Sequence, residues 1–331
     1  MSITVGRRDF LVALGAAVGS PLALRAQVLR KERPLVAWLS GGTVEVAGPF
    51  AAQFLQGMQA LRYVESHDFD MVYRYAEGFL ERLPTLAEEL VQLNPDVILA
   101  AAVSAAVPVH NVTATVPIVC PALADAVHLG LIASETRPGG NVTGIAPYVA
   151  GLPAKQIEFA REIVPGAKRV GLLTNLQDPK APPQRQELTA AGRALEMTIV
   201  EANVDAPDEV DGAMKALAGQ RVEVVIVLQT TLLLSEARRI ADRALAERRP
   251  TVYGYREHVL AGGLISYGVD LRWCYRHSAT FVDRILRGAR AGDLPVEFPT
   301  RMMLAVNLRT ASALGIAVPP TLLDVADETI E

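Results

Sequence analysis

From Leu35 onward the chain repeats one pattern: a short apolar run, a small polar turn, then an apolar stripe at helical spacing. The run 35–39 ends in Ser40-Gly41-Gly42-Thr43, and Phe50, Phe54, Leu55, Met58 and Leu61 then recur on one helix face. A strand over about 70–75 precedes a helix bearing Leu83, Leu86, Leu90 and Leu93, which Pro95 ends. Residues 97–103 form a continuous apolar run, the pattern of a strand covered on both faces. A helix from Ser104 and a strand over 117–120 follow. Parallel neighbours need a long right-handed crossover, so the alternation predicts an α/β protein with parallel sheets.

The segment from Arg137 through Pro138-Gly139-Gly140-Asn141-Val142-Thr143-Gly144 reads as turn chemistry and divides the chain. A second alternation follows it, with strands predicted over 169–174, 198–204, 222–228, 251–253 and 264–267. The helices between them are predicted over about 153–164, 182–196, 207–218 and 235–247. Two such groups predict two doubly wound parallel-sheet lobes in contact across a cleft. The tail departs from the pattern, with a helix over about 271–287 ending at Gly288, a strand over 302–306 and a short helix over 308–314. A late return to the first lobe would make both lobes discontinuous.

Residues 1–26 read as an export signal: Arg7-Arg8, an apolar run from Phe10 to about Leu24, and the small Ala26 before Gln27. Arg7-Arg8-Asp9-Phe10-Leu11 matches the twin-arginine form of that signal. The apolar run is interrupted by Gly15, Gly19, Ser20 and Pro21, whereas a membrane span needs about 20 predominantly apolar residues. A removable signal is therefore expected, with a periplasmic destination. Removing its three basic residues and one acid leaves 29 basic and 35 acidic residues, a formal charge of −6. That balance excludes the basic stripe of a nucleic-acid surface. Cys120 and Cys274 are expected as two buried free thiols, because one distant pair is no disulfide framework.

Open parallel sheets bind ligands beyond the carboxyl ends of their strands. The residues there are 40–43, 104–105, 123–125, 175, 229–231, 253–257 and 267–270, mostly small, hydroxyl, amide and aromatic. No dinucleotide fingerprint, phosphate loop or nucleophile elbow is present. The five histidines, His67, His110, His128, His258 and His277, lack metal-ligand spacing, so no metal or cofactor is expected. Asp125 and Asp270 each follow a strand, where a carboxylate serves either a helix N-cap or a ligand. Arg256 suits either a bidentate clamp on a carboxylate or a structural ion pair. The cleft thus reads as a recognition site and not as a reaction centre.

Three strings carry a family likeness: Pro138 to Gly144; Arg256-Glu257 with Ala261-Gly262-Gly263-Leu264-Ile265-Ser266-Tyr267-Gly268; and an ending that runs from Asn307-Leu308-Arg309-Thr310-Ala311 through Pro319-Pro320-Thr321-Leu322-Leu323 to Ala326-Asp327-Glu328. Together they resemble the exported solute-binding proteins of ATP-binding-cassette importers, in the tryptophan/tyrosine-type family with the type I periplasmic fold. The resemblance implies two lobes joined by three crossings, the first over 34–145 plus about 271–296 and the second over 146–270 plus about 297–331. It implies a monomer that closes on a small molecule and delivers it to a permease driven by a separate ATPase. The first lobe would contribute Ser40, Gly41, Gly42, Thr43, Ser104 and Asp125, the last in Asp125-Ala126-Val127 where the family has Asp-Pro-Val. The second would contribute Asn175, Gln229, Thr230, Tyr253 and Arg256, and Asp270 stands where the chain crosses.

The family commonly carries Pro-Asp-Pro where this chain has Gln229-Thr230-Thr231. In amino-acid-binding members an acid there would pair with the ligand's ammonium, and a buried ammonium without a partner is costly. The ligand class is thus an aromatic compound, an organic acid or an amino-acid-like molecule, with neutral or carboxylate-bearing compounds the better fit to Thr230. Two other functions use the same cleft: a sensing module for a membrane receptor, or an exported hydrolase, which would turn its ligand over. Replacing Arg7 and Arg8 by lysine is expected to leave the precursor in the cytoplasm, read out by cell fractionation; unchanged export would refute the twin-arginine reading.

Overall fold

The computed structural model describes residues 33–147 and 151–331; the expected signal at 1–26 lies outside them. The first sheet contains β1 (Leu35–Ser40), β2 (Asp70–Tyr75), β3 (Val97–Ala100), β4 (Ile118–Cys120) and β5 (Val142–Gly144) in the order β2-β1-β3-β4-β5, all parallel. Its crossovers include α1 (Val44–Ala60), α2 (Leu83–Gln92) and α3 (Val103–Val112). Side chains on a strand alternate between faces. On β1, Val36 and Trp38 join Phe50, Phe54 and Met58 of α1, while Ala37 and Leu39 join Leu83 and Leu90 of α2 on the other side.

The second sheet contains β6 (Arg169–Thr174), β7 (Thr198–Asn203), β8 (Val224–Val227), β9 (Thr251–Tyr253), β10 (Ile265–Val269), β11 (Met302–Asn307) and β12 (Glu328–Ile330). Their order is β12-β11-β10-β9-β8-β6-β7, parallel except where β11 runs against β10. Between these strands lie α4 (Leu152–Ile163), before β6, then α5 (Ala181–Ala194), α6 (Val210–Gly219), α7 (Thr231–Ser235), α8 (Ala237–Ala246) and α9 (Arg256–Leu260). Val224–Val227 is buried at every position, as a central parallel strand should be.

After β10 the chain leaves the second sheet as α10 (Leu271–Leu286) and packs along α1, with Phe281 and Val282 entering the core beside Phe54 and Met58. It then returns as β11, followed by α11 (Leu308–Leu314) and α12 (Pro320–Leu323). This excursion is the reason β11 is antiparallel: the strand re-enters the sheet from the end at which β10 left it. The returning chain also meets the segment that leaves β5. Ala146 N–H donates to the Glu297 carbonyl at 2.9 Å, and Glu297 N–H to the Gly144 carbonyl at 3.0 Å.

Several boundaries differ from expectation for identifiable reasons. The apolar run at 97–103 is not one strand: β3 stops at Ala100, and Val103 already begins α3. The segment 137–144 was expected as a turn, but Val142–Gly144 is the edge strand β5, paired with Ile118–Cys120. Gly144 ends it with φ +153, pressed against the Cys120 backbone, where a Cβ would collide. The helix expected over 235–247 is α8, and a further short helix not expected from sequence, α7, precedes it and meets it at Glu236. Cys120 and Cys274 are both buried and free.

The tightest helix contact is at Gly57 on α1, where a Cβ would overlap the Arg276 carbonyl and stand 2.8 Å from Ala279 Cβ of α10. Overpacking of this kind costs roughly 1–3 kcal/mol. Gly57→Ala is expected to lower the stability measured by urea denaturation by that amount; an unchanged midpoint would show that α1 and α10 can slide apart freely.

Candidate functional site

The carboxyl ends of both sheets face each other. From the first, Ser40 ends β1 and its Oγ accepts from Gly42 N–H at 3.1 Å, shaping a turn whose next residue, Thr43, caps α1 by accepting from Val46 N–H. From the second come the loop after β6, carrying Asp178 and Lys180, and the first turn of α7, carrying Thr231. Asp178 is fully buried and organises this side: its Oδ1 accepts from Lys180 N–H at 3.0 Å and its Oδ2 from Thr231 N–H at 2.8 Å. The lobes touch where Ser104 Oγ lies 3.1 Å from Thr231 Oγ1.

Between them is a cavity of ≈ 40 Å³. Its polar wall is Ser40, Gly41, Gly42, Lys180, Thr231 and Ser235; its apolar wall includes Phe50, Leu234, Tyr255, Leu271 and Tyr275. Phe50 and Tyr275 stack at 4.7 Å, and the Tyr275 hydroxyl donates to the Ala101 carbonyl at 2.6 Å. Burial pushes the Tyr255 and Tyr275 phenols far above their ordinary range, so both are neutral, apolar-bodied walls. A cavity this small holds a few waters.

Residues 47–330 match the model of the ABC transporter substrate binding protein family. The chain belongs to that family. It is 24% identical over 263 residues to the tyrosine-binding protein of Clostridioides difficile (strain R20291), covering 80% of this chain and 75% of that protein. A conserved domain protein from Vibrio cholerae superposes with a TM-score of 0.83 at 26% identity, over 90% of this chain and all of that one. A Streptococcus pneumoniae protein solved with L-Trp gives a TM-score of 0.84 at 20% identity, again over 90% and 100%. The architecture is that of the type I periplasmic binding proteins. As a member of this ABC transporter family, the protein binds a small molecule outside the cytoplasm and serves an ABC permease.

Of the residues singled out from sequence, Ser40, Gly41 and Gly42 line the cavity, and Ser104 reaches it through Thr231. The others have different surroundings. Thr43, Thr230 and Asp270 are helix caps; Thr230 accepts from Leu233 N–H and Asp270 from Trp273 N–H. Asn175 Nδ2 donates to the Val204 carbonyl, and Gln229 Nε2 to the Gly254 carbonyl, so both amides brace the second lobe. Tyr253 lies in that lobe's core, stacked on His258 at 4.6 Å. Asp125 is exposed in a turn at φ +51 and caps no helix. Arg256 is paired bidentately with Glu328, which holds that carboxyl below its usual range.

Thr231 and Tyr255 were among the strand-end residues, but Lys180, Ser235, Phe50 and Tyr275 carried no such signal. Lys180 lies six residues past the end of β6, and Tyr275 comes from α10, which sequence places far from β1. A search restricted to strand ends cannot find a wall built from a helix that crosses between lobes.

Behind Tyr255 sits His258, fully buried, with its ring stacked 6.1 Å from that of Tyr255 and neither nitrogen hydrogen-bonded. Burial lowers its pKa from 6.5 to about 4, outweighing weak contacts with the backbone at Tyr255 and Leu233. Between those two values the unfolded chain takes up a proton that the folded protein refuses. Stability therefore falls as pH falls through this window, by roughly 3 kcal/mol for this group. His258→Phe is expected to remove that one-proton slope from urea denaturation measured across the window; an identical slope in both proteins would show that His258 is accessible.

Proposed function

We propose that this protein is exported by its twin-arginine signal to the periplasm, where it acts as a monomeric clamp without catalytic activity. In this reading the first lobe comprises 34–145 and about 271–296, the second 146–270 and about 297–331, and the ligand is held in the cavity at their junction. The observation that carries the reading is the meeting of Ser104 and Thr231 over a cavity to which both lobes contribute walls. A ligand that touches both walls binds the closed arrangement more tightly than the open one and shifts the equilibrium toward it. Closure would then present a loaded surface to the permease.

The ligand we favour is a small organic molecule with an aromatic or other apolar body. Phe50, Tyr255 and Tyr275 offer ring faces, and two relatives are described with aromatic ligands, tyrosine and L-Trp. The site residues proposed from sequence divide accordingly into the wall (Ser40, Gly41, Gly42, with Ser104) and residues outside it (Thr43, Asn175, Gln229, Thr230, Tyr253, Arg256, Asp270), with Asp125 exposed in a turn and in neither group.

Gly42 gives the test. A Cβ there would stand 3.0 Å from Ser235 Oγ of the opposite lobe, so a branched side chain such as valine crowds the cleft. Native mass spectrometry of freshly purified protein identifies a retained ligand, and titration measures its affinity. Gly42→Val is expected to weaken binding at least tenfold and to abolish the ligand-induced compaction seen by small-angle scattering, with secondary structure intact. Equal affinity and equal compaction in the variant would place the ligand elsewhere.

A further inference from the structure

The polar wall of the cavity is electrically one-sided. Lys180 is only 6% exposed, yet its ammonium lies 3.5 Å from the Asp178 carboxylate and 3.5 Å from Thr231 Oγ1. Both contacts are at the outer limit of hydrogen bonding, and an ammonium carries three donors. On the same wall Ser235 Oγ is buried with no hydrogen-bond partner. Two polar groups able to donate to an anion therefore border the cavity with unused capacity.

Nothing on the wall offers the opposite charge. Among the described residues that line it there is no Asp or Glu, and Lys180 is the one charged side chain. Asp178 is already committed: both its oxygens accept backbone N–H groups, from Lys180 and Thr231, besides facing the Lys180 ammonium. Thr230, the residue before Thr231, uses its hydroxyl to cap α7. A ligand ammonium would be desolvated beside a cation with no carboxylate on the wall to pair with, a costly arrangement. A second carboxylate on the ligand would likewise find no second cation.

We infer that the ligand is a small monocarboxylate with an aromatic or branched apolar body and no α-ammonium, its carboxylate received by Lys180 with Ser235 as a second donor. This rests on the cavity being the solute site and adds the charge class of the solute. The carboxylate meets the polar wall of the second lobe, and the apolar body meets Phe50 and Tyr275 of the first, so charge and closure are read by different lobes. A charge-assisted hydrogen bond of this kind is worth roughly ten- to hundred-fold in affinity.

Isothermal titration of the mature protein at neutral pH tests it. The carboxylate probes are 3-phenylpropionate, phenylpyruvate, 3-(4-hydroxyphenyl)propionate and 4-hydroxybenzoate; the zwitterions are L-phenylalanine and L-tyrosine; the uncharged control is 3-phenylpropionamide. At least one acid is expected to bind, with its amino-acid and amide counterparts at least tenfold weaker. Lys180→Met is expected to weaken the acids roughly ten- to hundred-fold while leaving the amide nearly unchanged. Because that variant strands a buried carboxylate, Asp178→Asn/Lys180→Met removes the pair together and is expected to show the same loss for the acids while still binding the amide, which reports that the cleft is intact. Lys180→Arg should retain most of the affinity.

The inference is overturned by tighter binding of L-tyrosine or L-phenylalanine than of their deaminated counterparts. It is also overturned if no acid binds at millimolar concentration, or if the folded double variant keeps its affinity. L-tyrosine binding that Gly42→Val abolishes would overturn the charge class alone and leave the cleft as the solute site. Binding of any ligand that Gly42→Val does not touch would remove the cleft itself.

Discussion

The Asp178 carboxylate holds the cleft together. It is fully buried, which is tolerable only because every direction it faces holds a donor: the Lys180 backbone, the Lys180 ammonium and the first N–H of α7. By accepting Thr231 N–H it fixes the start of a five-residue helix that could not hold its own geometry. Thr231 then carries the lobe-to-lobe contact with Ser104, and Lys180 is held with its ammonium at the cavity. One acid thus sets the position of the charge, the helix and the closing contact.

A second constraint is the passage of α10 between sheets. It leaves β10 of one lobe, packs on α1 of the other with Gly57 as the point of closest approach, and contributes Leu271 and Tyr275 to the cavity wall. The chain that returns from it is stitched to the segment leaving β5 through the backbone bonds at Glu297. The two chain segments thus run side by side where they pass between the sheets. Asp270 caps α10 where the chain leaves β10.

Much of this was legible in the order of residues. The short apolar runs and the helical stripes located nearly every strand and crossover, because burial in a sheet or along a helix stripe leaves a local trace. The turn Ser40-Gly41-Gly42 stood out since small residues after a strand mark a place where something must approach closely, and here the opposite lobe does. Sequence does not separate chemistry that looks the same in a cap and in a binding site. Thr43, Thr230 and Asp270 are hydroxyl and carboxyl groups at strand ends, and each spends its acceptor on a helix N-terminus. Arg256 has the shape of a carboxylate clamp and closes instead on Glu328, 72 residues away, a pairing no local pattern announces.

The sequence by itself determined the α/β alternation, the two-group organisation and the membership in a solute-binding family, because these follow from local hydrophobic period and from strings of neighbouring residues. Only the tertiary structure decided which side chains meet. Lys180 comes from the loop after β6 and Thr231 and Ser235 from α7, while Ser104, Phe50 and Tyr275 come from three different helices, α3, α1 and α10. Their convergence depends on crossover handedness, on the return of α10 and on the closing of one lobe upon the other. Those are long-range properties of the packed chain, and the charge class of the solute follows from them, since a lysine after β6 gains its meaning only when burial and a cavity are placed beside it.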